Sequence, residues 1–290
     1  MSEELNETKK EKITIRISPS TLDSAQKCWR YFYFTKVLNL EPIERNYRLD
    51  KGSFIHLLLE CYYTSIKNGN SKSIAYNETI LKARDQGLKL NLENSDTEEV
   101  IKAFTSYHNA YIHDNWKPLF VEQPFSYVLY EDDKYIILLE GKIDLVAIIP
   151  PHEENVIIID HKSGEQNRDT GPLSNQFEGY CIAFDRQEVV RNFIGFQKDE
   201  NRRFARSIKS YNEEMLAESK EQMILWAFEI YNKLSQPMNK YTYPVNRKSC
   251  PFCEFQNVCT KGPSDREFVL TNNYQVRKPH DLFGRERGEK

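Results

Sequence analysis

Val156-Ile157-Ile158-Ile159-Asp160-His161-Lys162-Ser163-Gly164 is the stretch on which the reading turns. Four β-branched residues in a row favour an extended chain. Side chains of a strand alternate between its faces, so Asp160 and Lys162 share one face and His161 takes the other. Upstream, Glu140-Gly141-Lys142-Ile143-Asp144-Leu145-Val146 sets one acid, Asp144, in an otherwise apolar strand. Pro150-Pro151 marks a turn between the two. Paired as a hairpin, the strands bring Asp144 and Asp160 together at one end of a sheet. Neighbouring carboxylates bind a hard divalent cation through oxygen. Such a cation lowers the pKa of a bound water and stabilises charge on a phosphate. A lysine beside it can orient or deprotonate that water. Acid, then acid-x-lysine, is a set of parts for phosphodiester hydrolysis. A lone D-x-K arises often by chance, but this one is framed by a β-branched run, a Ser-Gly and a matched G-x-x-D strand.

Outward from this pair, Ile13 to Ile17 reads as a short strand. Ser18-Pro19-Ser20 then caps a helix, with proline in its first turn; this helix carries Leu22, Cys28, Trp29 and Phe32. Further helices are expected over about 52–66, 75–89 and 97–114. Extended segments follow over 121–129, 135–149 and 156–160, with Asp132-Asp133 at the first turn. A helix over 174–185, strands over 189–196 and 203–209, and a long helix over 212–234 complete the pattern. Helices, a strand block, then a helix and more strands predict an α/β fold with a mixed central sheet flanked by helices. One compact domain over 13–265 is expected, with a helical insertion at about 67–118 and flexible tails at 1–12 and 276–290.

Of the 290 residues, 39% are hydrophobic and 12% aromatic, enough to bury a core. The net charge is -3, so no whole-molecule basic footprint is present and any nucleic-acid site must be a local patch. No apolar run approaches the roughly 20 residues of a membrane helix. The polar N-terminus has no signal core, which makes the cytoplasm the expected location.

The sequence GKIDLV, then VIIIDHKSG, then QFEGY resembles the RecB-like branch of the PD-(D/E)XK nuclease superfamily. The resemblance covers Ser18 to about Lys261 and implies a restriction-endonuclease-like core. That branch often has an aromatic residue where His161 stands, a mild departure on the face away from the metal. Its Gln-x-x-x-Tyr motif is matched by Gln176 and Tyr180, four apart and so on one helical face; by resemblance they contact DNA or position Lys162. Its early-helix histidine is matched by His56 within Gly52-Ser53-Phe54-Ile55-His56. A neutral imidazole is a fitting third ligand beside Asp144 and Asp160. Without that context, His56 among leucines reads as a core residue. Glu122 is a weaker candidate for a supporting acid and stays outside the catalytic set. The resemblance implies an Mg²⁺- or Mn²⁺-dependent deoxyribonuclease, an exonuclease on DNA ends or single strands. Its processes would be recombination, repair or the processing of CRISPR spacer precursors.

Six cysteines are present. Cys250, Cys253 and Cys259 form a compact triplet and Cys28 lies far upstream. Four thiolates suit zinc or an iron–sulfur cluster. The arrangement resembles the 4Fe-4S staple of AddB and CRISPR-associated RecB-like nucleases, which would tie the N-terminal helix to the C-terminal region. The alternative is a core thiol at Cys28 and zinc on the triplet with another ligand. Cys61 and Cys181 read as core residues.

Lys198 to Arg206, with Arg45, Arg48 and Lys51, are basic clusters that could neutralise phosphates. Trp29, Tyr31 and Tyr33 could stack on bases. The competing reading of each is solvated or packed surface. No G-x-x-x-x-G-K-[ST] motif is present, so unwinding would need a helicase or another recombination or CRISPR-adaptation partner. A non-catalytic DNA-binding or scaffold subunit with the same fold is the alternative function; the intact Asp144, Asp160 and Lys162 argue against it.

Overall fold

The computed structural model describes residues 11–277 except 45–46, 91, 153, 168–170, 172, 197–202 and 237–242. Strand Ile13–Ile17 (β1) leads into helix Pro19–Lys27 (α1), whose cap is the Ser18 hydroxyl accepting from the Thr21 amide. The expected single helix is broken at Cys28, whose backbone is extended (φ -173°). A short helix Trp29–Phe32 (α2), a π-helical turn Tyr33–Val37 and strand Leu40–Pro42 (β2) follow. Helices Tyr47–Lys67 (α3), Lys72–Lys89 (α4) and Asn94–Ala110 (α5) precede strands Lys117–Glu131 (β3), Tyr135–Ile148 (β4) and Val156–Gly164 (β5). Helix Asn175–Phe184 (α6), strands Glu188–Gly195 (β6) and Phe204–Ser210 (β7), and helix Glu213–Ser235 (α7) complete the mixed α/β core.

The central sheet forks at β4. One edge of β4 pairs with β3 along nearly its whole length, antiparallel. The other edge pairs first with β1, parallel, over Tyr135–Leu139, then with β5, antiparallel, over Leu145–Ile148. Residues 140–144 lie where β1 has ended and β5 has not begun, so this stretch has backbone free of a ladder on one edge. β5 continues the sheet to β6 in parallel, and β6 pairs β7 antiparallel.

Each face of the sheet is covered by helices. α1, α6 and α7 pack on one face around Ile15, Leu22, Ile137, Leu139, Ile158 and Met223. α3, α4 and α5 cover the other around Phe54, Leu58, Phe104, Leu145, Ile159 and Ile194. The alternation expected of β5 follows: Ile158 joins the first cluster and Ile159 the second. Asp160 and Lys162 continue the face of Ile158, and His161 that of Ile159. The region about 67–118 is therefore a layer of the core, since Ala75, Ala83, Val100 and Phe104 are fully buried.

The chain stays folded past residue 265. A 3₁₀ turn Arg247–Phe252, a short helix Gln256–Cys259 (α8), helix Pro263–Asn273 (α9) and strand Tyr274–Val276 (β8) form a third cluster around Phe34, Phe255, Val258 and Leu270. β8 pairs β2 antiparallel, so Val276 and Arg277 are held against the N-terminal region rather than lying in a tail. No described helix is long and apolar enough to cross a membrane.

Candidate active site

The fork in the sheet positions the acids. Beyond the last β4–β5 pair, Leu145 with Ile159, the strands separate. Asp144 fills the gap: its Oδ2 accepts the His161 amide at 2.7 Å, taking the place of a ladder carbonyl. This bond ties the first motif to the second and holds Asp144 beside Asp160. Opposite Asp144 on β3 is Glu122, between the paired positions Val121–Leu145 and Gln123–Ile143. Glu122 has a left-handed backbone (φ 49°). For a non-glycine residue this costs on the order of 1 kcal/mol, a strain typical of functional positions.

α3 brings His56 from the opposite layer. Its Nδ1 lies 3.6 Å from Asp144 Oδ2. The helix comes close to the motif strand at Gly52, where an added Cβ would sit 3.3 Å from the Ser163 hydroxyl oxygen. The G-x-x-x-H spacing thus combines a close approach with a ligand one helical turn on. One ligand atom each from His56, Glu122 and Asp144 lie within 4.8 Å of one another. Glu122, kept out of the catalytic set on sequence grounds, belongs to this cluster; its sole sequence signal was an acid on a strand.

Burial and mutual repulsion dominate the electrostatics. Asp144 is pushed up to about 7, by burial first and then by the Glu122 charge, against the bond from the His161 amide. Asp160 is pushed up to about 6 by burial, opposed by the Lys162 ammonium. Burial holds His56 below its usual value, and so neutral. Asp160 is 0% exposed. Its Oδ1 has no hydrogen-bond partner among the described residues; its Oδ2 faces Lys162 Nζ at 2.8 Å, an ion pair outside hydrogen-bond geometry. Buried carboxylate oxygens without donors are costly unless a cation satisfies them. His56, Glu122 and Asp144 therefore form a three-residue donor set that fits a divalent cation, with the buried Asp160 carboxylate beside it.

A relay fixes the lysine. Lys162 Nζ donates to Gln176 Oε1 at 2.7 Å, Gln176 Nε2 donates to the Tyr180 hydroxyl at 2.7 Å, and that hydroxyl donates to the Lys142 carbonyl at 2.8 Å. The polarity is forced, because a carbonyl only accepts. Tyr180 must give its proton to it, so Gln176 turns its NH₂ to Tyr180 and its oxygen to Lys162. Burial holds the Tyr180 phenol well above its usual value, so this donor stays protonated. The side chain of Lys142 pairs with Glu122.

His161 faces the other side of the strand. It stacks on Tyr63, with rings 5.6 Å apart, and its Nδ1 lies 2.9 Å from Asn192 Nδ2. Asn192 also binds Tyr107 and Arg206, and Arg206 pairs with Asp114 at 2.7 Å. Of the two readings open for the basic residues, these partners favour packed surface at several of them. Arg206 and Arg203 are taken up internally, Arg203 by the Ser106 hydroxyl, and Lys51 pairs with Asp96, Glu99 and Glu165. Lys198–Arg202, Arg45 and the Arg48 side chain lie outside the described residues. The aromatics are packed: Tyr33 stacks on Tyr243 at 4.7 Å, and Trp29 lies 5.9 Å from Trp226.

Cys28, Cys250, Cys253 and Cys259 line one small cavity between α1 and the C-terminal segment, and all four thiols are free. The Asn246 amide donates to Cys28 Sγ at 3.4 Å, and the Asn246 side chain donates to the Lys27 carbonyl at 2.9 Å. Burial raises the Cys253 and Cys259 thiols, opposed by the Phe255 amide and the Lys27 charge at Cys253 and by Arg30 at Cys259, with a smaller raising effect from neighbouring sulfurs. Cys181 is buried as expected, whereas Cys61 is half-buried on a polar cleft with Glu60 and Lys82.

Fold and site together set two carboxylates and a lysine at the fork of a mixed sheet. Residues 16–260 match the family model of the PD-(D/E)XK nuclease superfamily, and the chain belongs to that superfamily. No curated protein matches it significantly. Among solved structures, it is similar to a candidate exonuclease from Eubacterium rectale, at 15% identity over 88% of this chain and 92% of that one, TM-score 0.46. It is also similar to SSO0001, at 15% identity over 71% and 84%, TM-score 0.33.

Proposed function

We propose that the chain is an Mg²⁺- or Mn²⁺-dependent deoxyribonuclease that degrades DNA from ends or as single strands, in recombination, repair or CRISPR spacer processing. The observation that carries this is the buried, donor-starved Asp160 beside Asp144, with Lys162 oriented on the same face. Asp144 and Asp160 would hold the cation, with His56 and Glu122 completing the donor set. When bound, the cation supplies an activated water and neutralises charge on the scissile phosphate. Lys162 Nζ would orient that water or stabilise charge growing on the phosphate. Gln176 and Tyr180 keep the amine from swinging onto Asp160 alone. The Asp144–His161 bond holds the two acids in register.

The end-directed reading is tested with linear and covalently closed circular DNA, single- and double-stranded, in Mg²⁺ or Mn²⁺. Shortening of linear strands with circles left intact is expected. Cleavage of closed circles at the same rate would make the enzyme an endonuclease.

We further propose that the four thiols hold a 4Fe-4S cluster. The support is a shared cavity lined by all four free cysteines, where crowded sulfurs gain from a cation. Protein purified without oxygen should be brown and contain about four irons per chain, the cluster stoichiometry. Cys28→Ser should lose the iron and lower the melting temperature. Stoichiometric zinc in a colourless protein would replace the cluster with a zinc site.

A further inference from the structure

Gln176 and Tyr180 also line a cleft of about 580 Å³, bounded by the start of α1, the π-helical turn and the end of β8. Among the described residues, three cations line it: Lys36, Lys142 and Arg277. Two are already paired, Lys142 with Glu122 and Arg277 with Glu41 at 3.0 Å. The acid on the lining, Asp23, is bonded to the Asn175 amide at 2.6 Å. Lys36 is different. Its Nζ donates to the Ser20 hydroxyl at 3.0 Å, and among the described residues no carboxylate lies within ion-pair reach of it. It is half-buried, and burial and then the Arg277 charge both disfavour its ammonium, with partial relief from Asp23.

A cation without an ion-pair partner in a partly desolvated cleft is a deficit that an anion would fill. The cleft runs on to Gln176 and Tyr180 of the relay that orients Lys162, so an anion held there would lie beside that relay. We infer that this cleft is a phosphate-binding subsite for the nucleic-acid strand, with the Lys36 ammonium as its main contact and the Ser20 hydroxyl holding that amine in place. This rests on the nuclease reading above. A phosphate inside the strand and a terminal 5′-phosphate share this chemistry.

The test uses the full chain and its Lys36→Ala and Lys36→Arg variants on single-stranded oligonucleotides carrying either a 5′-phosphate or a 5′-hydroxyl. Lys36→Ala is expected to raise KM about tenfold with kcat within about twofold, and to flatten the salt dependence of binding by about one phosphate contact. Lys36→Arg should restore both, which excludes a general folding defect. If the phosphate is terminal, the 5′-hydroxyl substrate costs the wild type the same factor and costs Lys36→Ala nothing. If it is internal, both substrates are weakened equally by Lys36→Ala. Wild-type cleavage with an unchanged KM and salt slope in Lys36→Ala would overturn the subsite and leave the nuclease standing. Failure of the wild type to bind or cleave any DNA would overturn both.

Discussion

Asp160→Asn is expected to make the metal-free protein more stable at pH 8 while removing its activity. The sign follows from burial. Asp160 is pushed up to about 6 and Asp144 to about 7 in the folded chain, against about 3.9 in an unfolded one. A carboxyl with a raised folded pKa keeps its proton longer in the folded state. Its stabilisation is full below the unfolded value and is lost as pH rises through the folded one. The metal-free protein should therefore lose stability between about pH 4 and 7. At pH 8 the wild type carries the charge and Asn does not. The gain should be about 2 kcal/mol, after allowing for the lost ion pair to Lys162. Urea unfolding at pH 5 and pH 8 measures it: the difference between the two pH values should shrink in the variant. Adding Mn²⁺ at pH 8 should stabilise the wild type by mass action and leave Asp160→Asn nearly unmoved. Equal stability of the two proteins at both pH values would mean that this acid is not held against its charge.

Lys162→Ala is expected to lower the single-turnover cleavage rate by about 10³, within the range for a positioned proton-transfer group. The side chain is 37% exposed, so its removal should not unfold the protein. It should not weaken Mn²⁺ binding either, because it deletes a cation that competes for Asp160. Gln176→Ala should cost less, about tenfold, since the amine survives and loses its orientation. Calorimetric Mn²⁺ affinity beside the cleavage rate separates the two acids from the lysine: Asp160→Asn loses both, Lys162→Ala only the rate. A Lys162→Ala protein that cleaves like the wild type would remove the lysine from the chemistry.

The sheet and much of the site were legible because strand and helix periods are local. Period two alone placed Asp160 and Lys162 on one face of β5, and four-residue spacing placed Gln176 and Tyr180 on one face of α6, where they form the relay. The place of Glu122 beside Asp144 and His56 was not legible. Its position opposite Asp144 depends on the β3–β4 register, which shifts between Pro118 and Phe120, and on a left-handed backbone, and neither is written in local pattern. Lys51, Arg203 and Arg206 look like surface cations in sequence, yet the acids that pair Lys51 lie 45 to 114 residues away, the hydroxyl that takes Arg203 97, and the acid that pairs Arg206 92. The three-residue ribbon of β2 and β8 is too short to carry a periodicity of its own, and it closes the ends of the fold.

The most direct test is cleavage of end-labelled linear DNA by metal-freed protein, before and after Mn²⁺ is restored, with Asp160→Asn in parallel. The account predicts no product with chelator, product on adding Mn²⁺, and none from Asp160→Asn at any Mn²⁺ concentration despite its greater stability. Cleavage that persists in chelator, or that survives in Asp160→Asn, would contradict a metal-dependent hydrolytic centre at the forked strands.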